Sequence, residues 1–286
     1  MSTNDIEEIK KEFAITEDQL NEMFEKSKLV SFSTCKPSSS PSGIFIGGQT
    51  GAGKGGIDVY SEQELLKKGE NAAVLDVDIY RAFHPYTDEI LKKYPLLYAP
   101  ITAESTGKIL SMLIQYAIDN NFNFIHEGTL RNTVALETMK KMPPRFTRYV
   151  RVMATSKYES LLTAFERCYE QIALSGYGRF TNVETHNITY DGVLNTMKAI
   201  EDTKENIIIE IFKRGKDMVS PVKIFSSKDS ERIPHEVLIE ERIKDEQMNV
   251  DSRLERLQKL IQELKPSDEF EEKQLNLLKE EFNTIK

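Results

Sequence analysis

The chain is poor in cysteine. Its two, Cys35 and Cys168, offer neither a disulfide framework nor a paired metal-ligand spacing. It lacks any apolar run of about 18 residues, so no segment reads as a membrane span. Residues 1–11 are polar and acidic, without the apolar core of a secretory signal. It also lacks an excess of positive charge. With 38 Lys and Arg against 46 Asp and Glu, the formal net charge is −8, which argues against a general nucleic-acid surface. A cytoplasmic protein is the expectation. What is present suffices for a fold: 39% hydrophobic and 29% charged residues over 286 positions predict one large α/β domain carrying helical extensions.

The most informative stretch is Gly48-Gln49-Thr50-Gly51-Ala52-Gly53-Lys54, which fits G-x-x-x-x-G-K directly after the apolar run Gly43-Ile44-Phe45-Ile46. Small residues let successive backbone N–H groups curl around an anion, and Lys54 adds a point charge for the outer phosphates of a nucleotide. The next position departs from the pattern. A Ser or Thr hydroxyl for Mg²⁺ is expected there, and Gly55 followed by Gly56 stands instead. Two glycines also make a poor helix start, each disfavoured by about 1 kcal/mol relative to Ala.

Around this loop the pattern alternates. Strands are expected at Ile44–Gly47, Ala73–Leu75, Phe122–Ile125, Tyr149–Met153 and Ile207–Phe212, with Val222–Phe225 as an edge strand. Helical patterns cover Glu62–Lys68, Ala103–Asp119, Thr133–Lys141, Lys157–Ala173 and Tyr190–Lys204. Alternation of this kind implies a mainly parallel sheet with helices on both faces, whose ligands bind beyond the carboxyl ends of the strands. Ahead of it, Thr16-Glu17-Asp18-Gln19 reads as a capping box opening a helix with Leu20, Met23 and Phe24 on its docked face. The Ser- and Pro-rich segment from Ser31 to Ser42 reads as a loop. At the other end, Leu254, Leu257, Leu260, Ile261 and Leu264 mark an amphipathic helix stopped by Pro266, and Leu275, Leu278 and Phe282 a second. The helices are acidic and read as a solvated extension or as a partner-binding pair. The expected division is 1–42 as an N-terminal helical segment and loop, 43–228 as the nucleotide-binding domain, and 229–286 as an acidic helical extension.

The residues after the strands carry the candidate chemistry. Asp76 and Asp78 follow the second strand at a spacing that, in extended backbone, points both carboxylates the same way. One suits Mg²⁺ and the other suits taking a proton from a substrate hydroxyl; taken alone, the pair reads equally well as a helix cap. His126-Glu127-Gly128-Thr129-Leu130-Arg131 follows the third strand. Glu127 and Thr129 offer hydrogen bonds to a hydroxylated substrate, and Arg131 a fork for phosphate or carboxylate. His126 reads as structural, and His84, before Pro85, as shaping a turn. Arg167 on a helix and Arg179 in a glycine-rich loop are placed to neutralise a transferring phosphate, although each alone reads as a surface ion pair.

Taken together, G-G-Q-x-G-A-G-K, D-x-D with a following H-P, E-G-T-x-R, E-R-x-Y-E and a glycine-flanked arginine before T-H-N resemble the zeta toxin family over about residues 43–200. The resemblance implies a P-loop kinase, the toxin half of a bacterial epsilon/zeta system, using ATP and Mg²⁺ to phosphorylate the 3′-hydroxyl of the amino sugar of UDP-N-acetylglucosamine. It also implies a small helical antitoxin as partner. Relatives of the fold phosphorylate other small molecules, nicotinamide dinucleotides among them. Position by position, Lys54 matches the loop lysine, Asp78 the catalytic base, Glu127, Thr129 and Arg131 the substrate-binding E-G-T-x-R, and Arg167 and Arg179 the phosphate clamp. Gly48 to Gly56 would hold ATP, with Asp76 as the candidate metal ligand. Gly55 departs from the family's Mg²⁺-binding hydroxyl, and Ser111 stands near the place of a substrate-binding Glu. The rival expectations are a degenerate nucleotide-binding module acting through protein contacts and a kinase of the same fold with another acceptor, such as NAD or a nucleoside.

Overall fold

The computed structural model describes residues 3–175, 178, 180–203, 205–215, 220–245, 250–264 and 269–283. Helices α1 (Thr3–Glu12) and α2 (Glu17–Phe32) precede strand β1 (Ser42–Gly47). Then come α3 (Gly55–Leu66), β2 (Ala72–Leu75), α4 (Val77–Arg81), α5 (Thr87–Lys93), α6 (Tyr98–Asp119) and β3 (Asn123–Glu127). The second half runs α7 (Val134–Lys141), β4 (Thr147–Met153), α8 (Lys157–Ser175), α9 (Val183–Asp202), β5 (Ile207–Arg214), β6 (Pro221–Ser226), α10 (Pro234–Asp245), α11 (Val250–Leu264) and α12 (Glu269–Asn283). The six strands form one sheet in the order β2-β3-β1-β4-β5-β6. Strand β2 runs parallel to β3, β4 runs parallel to β5, and β6 closes the edge antiparallel to β5. The alternating α/β architecture read from the pattern is therefore present, including the edge strand.

The chain divides into two compact units. The first contains Met1–Ile44, Ser61–Glu127 and Met142–Thr147. In it, Thr16 caps α2 through a capping box: its hydroxyl accepts from the Gln19 N–H, and the Gln19 side chain accepts from the Thr16 N–H. Helix α2 buries Met23 and Phe32, and α1 is pinned by Phe13, which packs with Ile90 of α5 and Ile101 of α6. Asn121 adopts a left-handed φ of 55°, the turn that delivers the chain from α6 into β3.

The second unit contains Phe45–Tyr60, Gly128–Lys141 and Arg148–Lys286. Ile207, Ile208, Ile209, Ile211 and Phe212 bury both faces of β5, the near-continuous apolar run of an interior strand. Buried in the next strand is Arg151 of β4, paired with Glu210 at 2.8 Å and flanked by the rings of Tyr60, Tyr149 and Phe212. Leu257 of α11 and Leu275 and Leu278 of α12 pack onto Leu161, Leu162, Phe165 and Tyr169 of α8 and Val183 of α9. The apolar stripe of α11 and Leu275 and Leu278 of α12 thus pack inside this unit.

Several short elements escaped the pattern, α1 among them. Helices α4 and α5 are too brief to show a period, and α10 lies in a charged stretch with a weak one. Helix α3 begins at Gly55, against the expectation from two glycines. The first turn of a helix leaves its N–H groups without intrahelical partners anyway, and the Lys54 carbonyl anchors it by accepting from Ile57 N–H at 2.7 Å.

Candidate functional site

The loop after β1 is built as an anion cradle should be. Gly51 and Gly53 take φ of 78° and 96°, and Gly48 takes 150°. At Gly51 the restriction is steric as well, since a Cβ there would lie 1.9 Å from the Ser160 carbonyl oxygen. Ala52 is buried, and its carbonyl accepts from the Thr155 hydroxyl at 2.8 Å and from Arg214 Nε at 3.2 Å. The Lys54 ammonium donates to the Gln49 carbonyl at 3.2 Å.

Gln49 faces away from the cradle. Its side chain is fully buried, donating to the Thr155 carbonyl and the Ser160 hydroxyl, both at 2.9 Å, and accepting from Arg242 of α10 at 3.3 Å. Ser160 in turn meets His186 Nε2 at 3.0 Å. Burial, first, holds His186 down to a pKa of about 4, so it serves this network as a neutral ring. Gln49 therefore contributes backbone to the cradle, while its amide roots the loop in the fold.

In the second unit, Gly128 to Arg131 lie beside the loop. Gly128 N–H donates to the Ile46 carbonyl at 2.9 Å, and Gly48 N–H points to the Thr129 carbonyl at 3.4 Å. Gly192 of α9 lets that helix pass against the Arg131 main chain, where an added Cβ would come within 2.3 Å of the carbonyl oxygen. Arg131 is left exposed and Thr129 half-buried. Arg167 sits half-buried on α8 beside Glu166. Arg179 lies outside the described residues.

In the first unit, Leu75 of β2 registers with His126 of β3, so Asp76 and Glu127 occupy equivalent places at the carboxyl ends of neighbouring parallel strands. The premise for the Asp76–Asp78 pair needs correcting. β2 stops at Leu75, and the extended backbone ends at Asp76: Asp76 is the N-cap of α4, its Oδ1 accepting from Asp78 N–H at 2.9 Å, and Asp78 is already helical. Asp78, in the first helical turn, accepts from Arg81 Nε at 3.0 Å. Arg81 is itself fixed by the Ala99 carbonyl at 2.9 Å and the Thr102 hydroxyl at 2.8 Å. Tyr80, buried on the same helix, shares a 2.7 Å hydrogen bond with Ser31, and burial pushes its phenol up to about 12. His126 is held in its neutral form by burial, with Nδ1 3.4 Å from the Leu75 carbonyl, as a structural histidine should be. His84 shapes a turn, Nδ1 accepting from Tyr86 N–H at 3.3 Å.

A family model described as Zeta toxin matches residues 26–227. The chain belongs to the zeta toxin family. Curated zeta toxins agree: Toxin PezT of Streptococcus pneumoniae serotype 4 is 26% identical over 64% of this chain and 73% of its own length. Toxin zeta of Streptococcus pyogenes is 26% identical over 78% of this chain and 74% of its own. Among solved structures, one from the characterisation of the PezAT toxin–antitoxin system of Streptococcus pneumoniae superposes with a TM-score of 0.73 at 21% identity, covering 88% of this chain and 98% of that one. A crystal structure of AvrRxo1-ORF1:AvrRxo1-ORF2 with ATP has the same fold at a TM-score of 0.51 and 14% identity, covering 82% and 72%.

Zeta toxin membership makes this a kinase-like, nucleotide-binding toxin. It also sharpens what the sequence missed. Arg81 and Arg214, both beside expected site residues, were not singled out. Arg214 ends β5, and the strand-end rule applied to β2 and β3 would have found it. Arg242 and Arg253 lie beyond the span of the family match, and nothing in their spacing pointed to the loop.

Mg²⁺ binds through few protein carboxylates, keeping phosphate and water ligands. Among the described residues there is no cluster of three or more His, Cys, Asp or Glu side chains arranged for a metal. At Gly55 the space a side chain would occupy is open, with nothing within 4 Å. A water fits where the family places a hydroxyl, so the donors available here are compatible with a nucleotide-borne Mg²⁺. No described helix is long and apolar enough to cross a membrane.

Proposed function

We propose that this protein is an ATP-dependent kinase that transfers the γ-phosphate to a hydroxyl of a nucleotide sugar, with UDP-N-acetylglucosamine as the acceptor and arrest of cell-wall precursor synthesis as the outcome. The observation that carries the reading is the loop itself. Its left-handed glycines and its Ala52 carbonyl, tied down on the outer side, leave backbone N–H groups for a phosphate chain. Residues Gly48 to Gly56 would cradle ATP, with Lys54 reaching the outer phosphates. Mg²⁺, carried on those phosphates with a water near Gly55 and Asp76 as a carboxylate, would supply charge neutralisation.

Asp78 would take the acceptor proton. The Arg81 ion pair orients its carboxylate, and a base needs a fixed position first. Glu127, Thr129 and Arg131 would hold the acceptor, and Arg167 with Arg179 would stabilise the transferring phosphate. A small helical antitoxin is the expected partner, in keeping with the toxin–antitoxin system that the pneumococcal relative's structure describes.

The test is label transfer from γ-labelled ATP with Mg²⁺ to a panel of UDP-N-acetylglucosamine, other nucleotide sugars and NAD. Asp78→Asn is expected to lose at least about a hundredfold in turnover, the usual contribution of a general base, with ATP affinity kept. Wild-type turnover in Asp78→Asn rejects the base; label on NAD alone moves the acceptor to a dinucleotide. Gly55 favours a second reading, a degenerate nucleotide-binding module acting through protein contacts. ATP binding without transfer to any acceptor would select it.

A further inference from the structure

We propose that Arg253, on a helix beyond the segment matched by the zeta toxin model, is a positioning residue for the phosphate-binding loop, acting through Glu159 and Arg214. The inference rests on the reading of that loop as an ATP site. It names a control on the site that lies outside the family's motifs.

The chain of contacts is short. Arg214 donates to the carbonyls of Gly51 and Ala52. In a planar trans peptide the C=O and the following N–H point in opposite directions. Fixing the Ala52 carbonyl on the Arg214 side therefore fixes the Gly53 N–H on the other side, towards the cradle. Arg214 is a long side chain, and its aim depends on what holds its far end. There NH1 donates to Glu159 Oε1 at 2.7 Å and, more weakly, to the Thr163 hydroxyl at 3.3 Å.

Glu159 has a side chain only 2% exposed, and a buried carboxylate needs its charge met on all sides. Arg253 meets the rest. Its NH1 bonds both Glu159 oxygens, at 2.5 and 2.7 Å. Its NH2 donates to the Thr163 hydroxyl at 2.9 Å, and Nε donates to Glu166 at 3.1 Å. Two guanidiniums and two carboxylates thus alternate between α11 and the loop. Without Arg253, Glu159 has only Arg214 as counter-charge among the described residues. The guanidinium of Arg214 would swing to serve both carboxylate oxygens and release the loop carbonyls.

A purely structural role for Arg253, fastening α11 to α8, predicts something different, and neighbours on the same helix separate the two. Leu257 is buried among the apolar side chains of the α11–α8 contact and makes none of the relay's hydrogen bonds. Arg256 makes an exposed pair with Glu170 at 2.7 Å. The experiment measures the affinity of a non-hydrolysable ATP analogue, the Tm, and hydrogen exchange of the Gly51–Lys54 amides in nucleotide-free protein. It compares the full-length wild type with Arg253→Ala, Leu257→Ala, Arg256→Ala, Arg214→Ala and the Arg253→Ala/Arg214→Ala pair, below the lowest Tm of the set.

Arg253→Ala should weaken the analogue about tenfold, the worth of one hydrogen bond to a charged group, and speed exchange of the loop amides. Leu257→Ala should lower the Tm with affinity within about twofold, and Arg256→Ala should change neither. Because both arginines act along one path, the double variant should match Arg214→Ala rather than add to it. Unchanged affinity and exchange in Arg253→Ala overturn the proposal, as does an equal loss in Leu257→Ala. If the wild type binds no nucleotide, the ATP reading fails by itself, and the exchange rates still decide the relay.

Discussion

Gly55→Thr restores the hydroxyl that the family's loop carries, and the structure says what it should do. Position 55 opens α3 with ordinary backbone geometry, and no heavy atom lies within 4 Å of an added Cβ. The fold therefore accepts the side chain. Thr is a better helix residue than Gly by roughly 0.3 kcal/mol, less in a first turn, so the Tm should hold or rise slightly. The catalytic effect depends on what the hydroxyl replaces. If a water already completes the Mg²⁺ shell there, the gain is one ligand held without an immobilisation cost, about 1 kcal/mol or roughly fivefold in kcat/KM for MgATP. The assay is steady-state transfer across a Mg²⁺ titration, wild type against variant, with calorimetric MgATP binding beside it. A fivefold gain with a shift to lower Mg²⁺ is the expected result. A fall in Tm or in activity would refute the open-space argument. A gain beyond about a hundredfold, nearly 3 kcal/mol, would refute the water instead and show that the natural loop lacks a working metal.

Gly51→Ala should go the other way: its φ of 78° and the 1.9 Å approach to the Ser160 carbonyl leave no room, so about 1–3 kcal/mol of strain should appear in the Tm together with loss of analogue binding. Thr16→Ala removes the α2 cap and should cost about 1 kcal/mol in chemical denaturation, with nucleotide affinity unchanged. His186, with a folded pKa near 4, binds its proton more readily once unfolded. Stability should therefore fall as the pH drops from the ordinary histidine range near 6.5 towards 4, by up to about 1.4 kcal/mol per pH unit. His186→Asn should flatten that slope in urea titrations, and a slope equal to the wild type's would discount the histidine.

Period and punctuation carried most of the fold. All six strands stand where short apolar runs met turn residues; β1 and β5 are buried almost throughout and read as continuous apolar runs, whereas the edge strand β6 leaves Val222 and Lys223 exposed. The Thr16 box was readable because both halves of a reciprocal cap lie within four residues. Helices α4 and α5 were not, since five to seven residues span less than two turns and cannot display a stripe. The first of these mattered most. Missing α4 made Asp76 and Asp78 look like two strand-end ligands, when one of them starts a helix and the other rides on it.

Local motifs announce the groups that touch a ligand, because the ligand imposes a spacing on consecutive residues. They are silent about what holds those groups still. Nothing around Gln49 says that its amide is buried on Thr155, Ser160 and Arg242, contacts separated by 106, 111 and 193 residues. Arg214 reaches the loop from 162 residues away, and Arg253 reaches Glu159 across 94. Each is a lone charged residue in a charged sequence, and its meaning comes only from the packing of α8, α10 and α11. A loop whose glycines buy conformational freedom has to be stiffened from outside to present N–H groups in one arrangement. In this chain two arginines from helices past the family match perform that stiffening, Arg242 on the Gln49 side and Arg253 through Glu159 and Arg214. The C-terminal helices are thereby drawn into the nucleotide reading: cutting Arg242 or Arg253 from its partners should be felt as a loss of phosphate affinity, whereas loosening the apolar contacts of the same helices should lower the Tm alone.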